Sequence, residues 1–116
     1  MKQILEEIIG YQQLLVNLKK KRMPIEVMKS FPEFSASTRS LKQSVSNSKQ
    51  GIIAEFKRRS PSKASINLKA DVMEIAQSYE QMGAAGMSVL TNQRYFGGSL
   101  EDLQLAKSVC NLPILR

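Results

Sequence analysis

Apolar residues recur at steps of three and four near the start of the chain. Ile4, Ile8, Tyr11, Leu15 and Leu18 fall on one side of a helix, predicted over residues 2 to 21. Pro24 stops it. Ile25 to Lys29 is long enough for one short helical turn. Phe31-Pro32-Glu33-Phe34 reads as an extended or turn segment, because a proline pushes the preceding residue out of the helical region. Thr38 is placed to cap a short helix ending near Val45. The polar run from Asn47 to Gly51 predicts a loop.

The pattern then changes. Ile52 to Lys57 predicts a buried strand, and a long loop from Arg58 to Ala70 follows. Asp71 caps a predicted helix carrying Val72, Ile75, Ala76, Tyr79 and Met82, closed by Gly83. Gly86 to Leu90 is a second apolar strand, and Thr91 to Gly98 a second loop. Ser99 caps a helix with Leu100, Leu103 and Val109, whose first turn is favoured by Glu101 and Asp102. Leu112 to Leu115 is a third strand. Strand and helix alternating at this spacing predict an α/β domain of βαβαβ type with parallel strands and right-handed crossovers. Parallel strands need cover on both faces. Two βα units and a bare strand cannot supply it, so the pattern predicts a sheet truncated at its third strand. The boundary between a helical extension, residues 1–48, and the βα units, residues 49–116, falls in the polar loop.

Composition narrows the functional classes. The 116 residues suffice for one small domain. Glu6 and Glu7 interrupt the apolar pattern at the start, against a signal peptide, and no run is long enough to span a bilayer. Cys110 is the sole cysteine, so no internal disulfide forms and the cytoplasm is the expected compartment. The chain has no histidine, which excludes His-based acid–base chemistry and His zinc sites within it. The net charge is +7. Much of the excess is the run Lys19-Lys20-Lys21-Arg22, which suits the C-terminal end of a helix dipole. No aromatics interleave with it, so a stacking platform for single-stranded nucleic acid has little support; no nucleic-acid partner and no membrane are expected.

Side chains alternate across a strand, so Ile53, Glu55 and Lys57 share one face and Ala54 and Phe56 the other. Ala54 and Phe56 suit the helix-covered side. Glu55 and Lys57 then point into a barrel interior or toward the C-terminal mouth of the strand, where opposite charges two residues apart can satisfy each other. The competing reading is a solvated edge strand with an unremarkable pair, which the common Glu-x-Lys spacing favours by itself. Ser60-Pro61-Ser62-Lys63 offers hydroxyls, a lysine and backbone N–H groups to an anion, or is an ordinary turn. Tyr95-Phe96-Gly97-Gly98-Ser99 sets an aromatic at a strand mouth, over an aromatic ligand or simply packed at a helix start.

Taken in order, IIAEFKRRSPSK resembles the first strand and loop of indole-3-glycerol phosphate synthases. YEQMGAAGMSVLTNQRYFGGSLEDL resembles the next helix, strand and loop of that family, and LPILR its third strand. The resemblance implies the N-terminal part of a (βα)8 TIM barrel preceded by extra helices. It implies a carboxy-lyase of tryptophan biosynthesis that needs no metal or organic cofactor. The small-molecule sugar-phosphate substrate is 1-(2-carboxyphenylamino)-1-deoxyribulose 5-phosphate, converted to indole-3-glycerol phosphate with loss of carbon dioxide and water. By resemblance Lys57 contacts the substrate carboxylate and shares in proton donation. Glu55 pairs with Lys57 and shares in the acid–base work. Ser60 places the substrate with Pro61 beside the ring, and Leu90 and Phe96 wall the anthranilate ring.

Two departures stand out. Ala64 occupies a position where the family usually has glycine, which would strain the loop if a positive φ were needed there. The family's third strand also continues into a lysine that serves as main general acid, one residue beyond Arg116. Arg116 does not take that role, because its guanidinium stays protonated. The chain alone is therefore expected to be inactive. The alternative is a non-catalytic module whose open strand edges self-associate or pair with the missing half barrel.

Overall fold

The computed structural model describes residues 2–116. Its contacts divide the chain into two compact units, one ending at Ser37 and one running Thr38–Arg116.

The first unit is helical. Helix α1 spans Lys2–Arg22 and gathers Lys19, Lys20, Lys21 and Arg22 in its last turn. Ile4, Ile8, Tyr11 and Leu15 form its half-buried stripe, whereas Leu18 is exposed. A short α2 (Ile25–Met28) follows, and the Phe31–Phe34 segment becomes a 3-10 turn over Pro32–Ser35. Proline tolerates that first-turn position because its missing N–H would be unsatisfied there anyway.

The second unit starts before the polar loop near residue 48, because helix α3 (Leu41–Asn47) packs against a strand. Ser40, not Thr38, caps α3: its hydroxyl accepts from the Gln43 N–H at 3.2 Å. Ser44 donates to the Ala85 carbonyl at 2.5 Å, and Arg39 reaches the carbonyls of Cys110 (2.8 Å) and Leu112 (3.2 Å). These bonds fasten the segment to the starts of the second and third strands.

Strands β1 (Ile53–Phe56), β2 (Gly86–Val89) and β3 (Ile114–Leu115) form a parallel sheet in that order. In register, Glu55 lies opposite Ser88 and Phe56 opposite Val89. Helices α4 (Val72–Gln81) and α6 (Leu100–Val109) cover one face. Phe56, Val72, Ala76, Met87, Val89 and Ala106 meet there as the core. Ala76 and Ala106 are fully buried, and their small side chains let α4 and α6 pack closely. The buried positions on α4 are Val72 and Ala76, while Met82, expected on the apolar face, is 83% exposed. On α6 the buried positions are Asp102 and Ala106, and Leu100 is exposed. The other sheet face carries Glu55 and the exposed Ile53 and Leu115.

Caps at the C-terminal ends of the strands follow the sequence. Asp71 accepts from Met73 N–H (2.8 Å), and Ser99 from Asp102 N–H (3.1 Å). Gly83 closes α4 with φ +85°. The Thr91–Gly98 loop is different from its expected form. It contains a one-turn helix, α5 (Gln93–Phe96), capped by Asn92, which accepts from Tyr95 N–H at 2.9 Å. Gly97 ends α5 in the left-handed region, φ +67°.

Candidate functional site

Four residues at the C-terminal end of the sheet meet or adjoin on the face away from the core. Glu55 sits on β1 and Lys57 directly follows the strand. The Lys57 ammonium lies 3.5 Å from Glu55 Oε1, and both side chains are more than a third exposed. In so wet a setting the pair contributes little to stability, within about 0–1 kcal/mol. Its value is positional: it keeps a cation at the mouth of the strand. Ser88, on β2, donates its hydroxyl to the second carboxylate oxygen, Glu55 Oε2, at 3.1 Å. Leu90 stands half-buried just beyond β2, its N–H bonded to the Phe56 carbonyl at 3.3 Å.

Ser60 and Pro61 lie in the loop after β1. Ser60 and Lys63 exchange backbone bonds of 2.9 and 3.1 Å, closing a tight turn. The Ser60 hydroxyl accepts from Lys63 N–H and lies 3.2 Å from the Ser62 hydroxyl, so it is engaged within its own turn. Pro61 is exposed at the tip. Ala64 carries no strain, since no non-glycine residue among those described has a positive φ.

Phe96 is half-buried at the end of α5. Gly98 folds the chain back under Leu90: its N–H donates to the Asn92 carbonyl at 3.1 Å, and a Cβ at this position would overlap the Leu90 carbonyl. The two candidate ring-wall residues are therefore set by one tight backbone crossing.

Arg58 joins the two loops. Its guanidinium bonds the Ala70 carbonyl (3.3 Å), the Gly97 carbonyl (3.2 Å) and both oxygens of Asp102, and stacks 5.0 Å from the Phe56 ring centre. The Asp102 hydrogen bond, with its charge and that of Asp71, outweighs burial and holds the guanidinium above the ordinary arginine value. Arg58 is thus a fixed cation and a strap. Arg59 adds a bond to the Gln93 carbonyl (2.6 Å), and Arg116 one to the Thr91 hydroxyl (3.1 Å). Lys57 and Arg58 are each balanced by a carboxylate, Glu55 and Asp102, so Arg59 and Arg116 supply the excess positive charge at this end of the sheet, which suits an anionic ligand.

Sequence reasoning missed Ser88, Arg58, Asn92 and Asp102 as site-building groups. Ser88 had a legible signal, as the lone hydroxyl in an apolar strand. Arg58 and Asp102 pair across 44 positions, which no local pattern reveals. Among the described residues no group of acidic, histidine or cysteine side chains is arranged to hold a metal ion. No described helix is long and apolar enough to cross a membrane. A groove of about 620 Å³ lies beside the opposite ends of the strands, lined in part by Ser44, Lys49, Met82 and Ala85. None of the candidate residues lines it.

Comparison with known proteins supplies the family. The family model for indole-3-glycerol phosphate synthase matches residues 5–116. The indole-3-glycerol phosphate synthase of Bacteroides thetaiotaomicron is 43% identical over 116 residues, covering 100% of this chain and 45% of that protein. The one from Carboxydothermus hydrogenoformans is 40% identical, over 97% of this chain and 45% of the relative. The chloroplastic one of Arabidopsis thaliana is 39% identical, over 90% of this chain and 27% of the relative. The chain spans about half the length of the curated bacterial relatives it matches. Its parallel β1-β2-β3 sheet with covering helices is the N-terminal part of a (βα)8 barrel. With the barrel's first strands, their charged mouth and a match along nearly its whole length, this chain belongs to the indole-3-glycerol phosphate synthase family.

Proposed function

We propose that this chain supplies the carboxylate and ring end of an indole-3-glycerol phosphate synthase active site. The substrate is 1-(2-carboxyphenylamino)-1-deoxyribulose 5-phosphate. In the reaction the ring carbon bearing the carboxylate attacks the ribulose carbonyl carbon, and the carbonyl oxygen takes up a proton. The carboxylate leaves as carbon dioxide, and water is then lost to complete the indole. Lys57 holds the carboxylate and helps deliver a proton. Glu55 keeps the Lys57 ammonium at the mouth and shares in proton movement. Ser60 and Pro61 line the approach, and Leu90 and Phe96 take the ring. The observation that carries this reading is the Glu55–Lys57 pair, 3.5 Å apart, at the C-terminal end of β1, where barrel enzymes hold their chemistry.

The 116 residues by themselves are expected not to turn the substrate over, since they correspond to 45% of the Bacteroides relative. On this reading the compartment is the cytoplasm, which suits a lone free Cys110. The test is appearance of indole fluorescence when a full-length chain, these 116 residues joined to the remaining βα units of a family member, meets the substrate. No turnover would sink the proposal, and robust turnover by the 116 residues alone would sink its second part.

A second reading is an association module. The three-strand sheet has an open edge at β1 and at β3, and its face away from the helices exposes Ile53 and Leu115. Open edges pair with other strands. Sedimentation of the 116-residue chain as a monomer at high concentration would count against it.

A further inference from the structure

We infer that Ser88 is a positioning residue for catalysis, acting through Glu55. The inference rests on the activity proposed above and adds a group to that site. Strand β2 is buried at all four of its positions. Met87 and Val89 point into the helix-covered core and are fully buried. Ser88, between them, faces the other way, beside its register partner Glu55, and is 8% exposed. A buried hydroxyl without a partner costs on the order of 1–3 kcal/mol, so an apolar strand has no packing reason to carry one.

The partner it has is specific. Serine owns a single hydroxyl proton. That proton goes to Glu55 Oε2 at 3.1 Å, while Glu55 Oε1 faces the Lys57 ammonium at 3.5 Å. The two oxygens of one carboxylate are thus assigned to two donors. The Glu55 side chain is 44% exposed, so surrounding packing does little to hold it. The Ser88 bond, from a rigid central strand, is what fixes the plane of the carboxylate and hence the place of the Lys57 ammonium. On the proposed reading Lys57 meets the substrate, and Ser88 acts through the Glu55 carboxylate.

The experiment is a double-mutant cycle in the full-length chain, with kcat, KM and thermal unfolding measured for wild type, Ser88→Ala, Glu55→Gln and the double variant. Small misplacements of catalytic groups cost one to two orders of magnitude in rate, so Ser88→Ala is expected to lower kcat about tenfold with KM nearly unchanged. In the Glu55→Gln background the same change is expected to have no further effect. Ser88→Cys keeps the volume and weakens the donor, and should reproduce the kcat loss without a fall in unfolding temperature. A wild-type kcat in Ser88→Ala overturns the inference, as does an equal loss in both backgrounds, which marks a purely structural role. Absence of turnover in the wild type itself would overturn the underlying activity, and the inference with it.

Discussion

Arg58 reaches from the end of β1 to the first turn of α6 and grips Asp102 with two nitrogens, at 2.5 Å to Oδ2 and 2.9 Å to Oδ1. The same guanidinium holds carbonyls of Ala70 and Gly97, and the Arg58 backbone carbonyl accepts from Ile66 and Asn67 at 3.0 and 3.1 Å. One residue therefore closes the first loop and anchors the second. It sits next to Lys57 in the chain but faces the opposite side of the sheet, so the strap holds the site without occupying it.

Removing Asp102 should be costly. Asp102 is 5% exposed, and Arg58 would be left with an uncompensated, part-buried charge. Asp102→Ala in the full-length chain is expected to lose roughly 3 kcal/mol, at the low end for a broken buried pair, by urea unfolding. Arg58→Met added to Asp102→Ala should recover part of that loss. The sign with pH is fixed by the raised Arg58 value, due first to its bond with Asp102. The stabilisation is complete below the ordinary arginine range and fades only as pH climbs through the raised value. The Asp102→Ala penalty should thus be equal at neutral and mildly alkaline pH.

Two glycines should respond in opposite ways to alanine. Gly98 is buried, and a Cβ there meets the Leu90 carbonyl, which is backbone and cannot step aside. Gly98→Ala is expected to cost about 3 kcal/mol and to raise KM by displacing Leu90 and Phe96. Gly10 lies inside α1 with nothing within 4 Å of the added carbon. Gly10→Ala should stabilise by roughly 0.5–1 kcal/mol through helix propensity. Denaturant midpoints of the two variants, moving apart, check both statements.

The elements were legible where a period or a cap carried them. Asp71 and Ser99 start their helices as their side chains dictate, and Gly83 ends one. Phe56 turns to the core by simple alternation, which leaves Glu55 on the opposite face. A four-residue helix such as α5 has no period to detect, and its Asn92 cap looks like any loop asparagine. Ser40, not Thr38, directly precedes the first helical residue and caps it, and Arg39 between them ties the chain to two distant carbonyls that no local pattern reveals. Of the site, Glu55 and Lys57 were readable as a strand-face pair, and their meaning came from resemblance. Arg58–Asp102 and Ser88–Glu55 join elements far apart in the chain; the parallel register brings the second pair together, and the packing of α6 on the sheet the first.

Lys57 and Glu55 should separate in kinetics. On the proposed reading, Lys57→Met removes at once the cation that would meet the substrate carboxylate and a proton donor. It is expected to lower kcat/KM by about 10²–10⁴, the usual weight of a positioned acid or base. Glu55→Gln keeps the shape but drops the charge that anchors the ammonium, and should act mainly on kcat. Steady-state indole fluorescence distinguishes them. Equal and small effects from both would return the pair to a solvated surface contact.

Ala64 tests whether the loop after β1 depends on a glycine. The resemblance leads one to expect glycine there, yet no non-glycine residue among those described adopts a positive φ, and the position is exposed. Alanine therefore fits the backbone without strain, and it restricts the unfolded chain. Ala64→Gly should cost roughly 0.4–1 kcal/mol of stability through that entropy. It should leave kcat and KM of the full-length chain within about twofold of wild type. The loop is already closed by the Ser60–Lys63 turn and by the bonds from Ile66 and Asn67 to Arg58, none of which involves residue 64. A marked gain in kcat on introducing glycine would show that closure over the substrate needs a backbone angle which alanine resists.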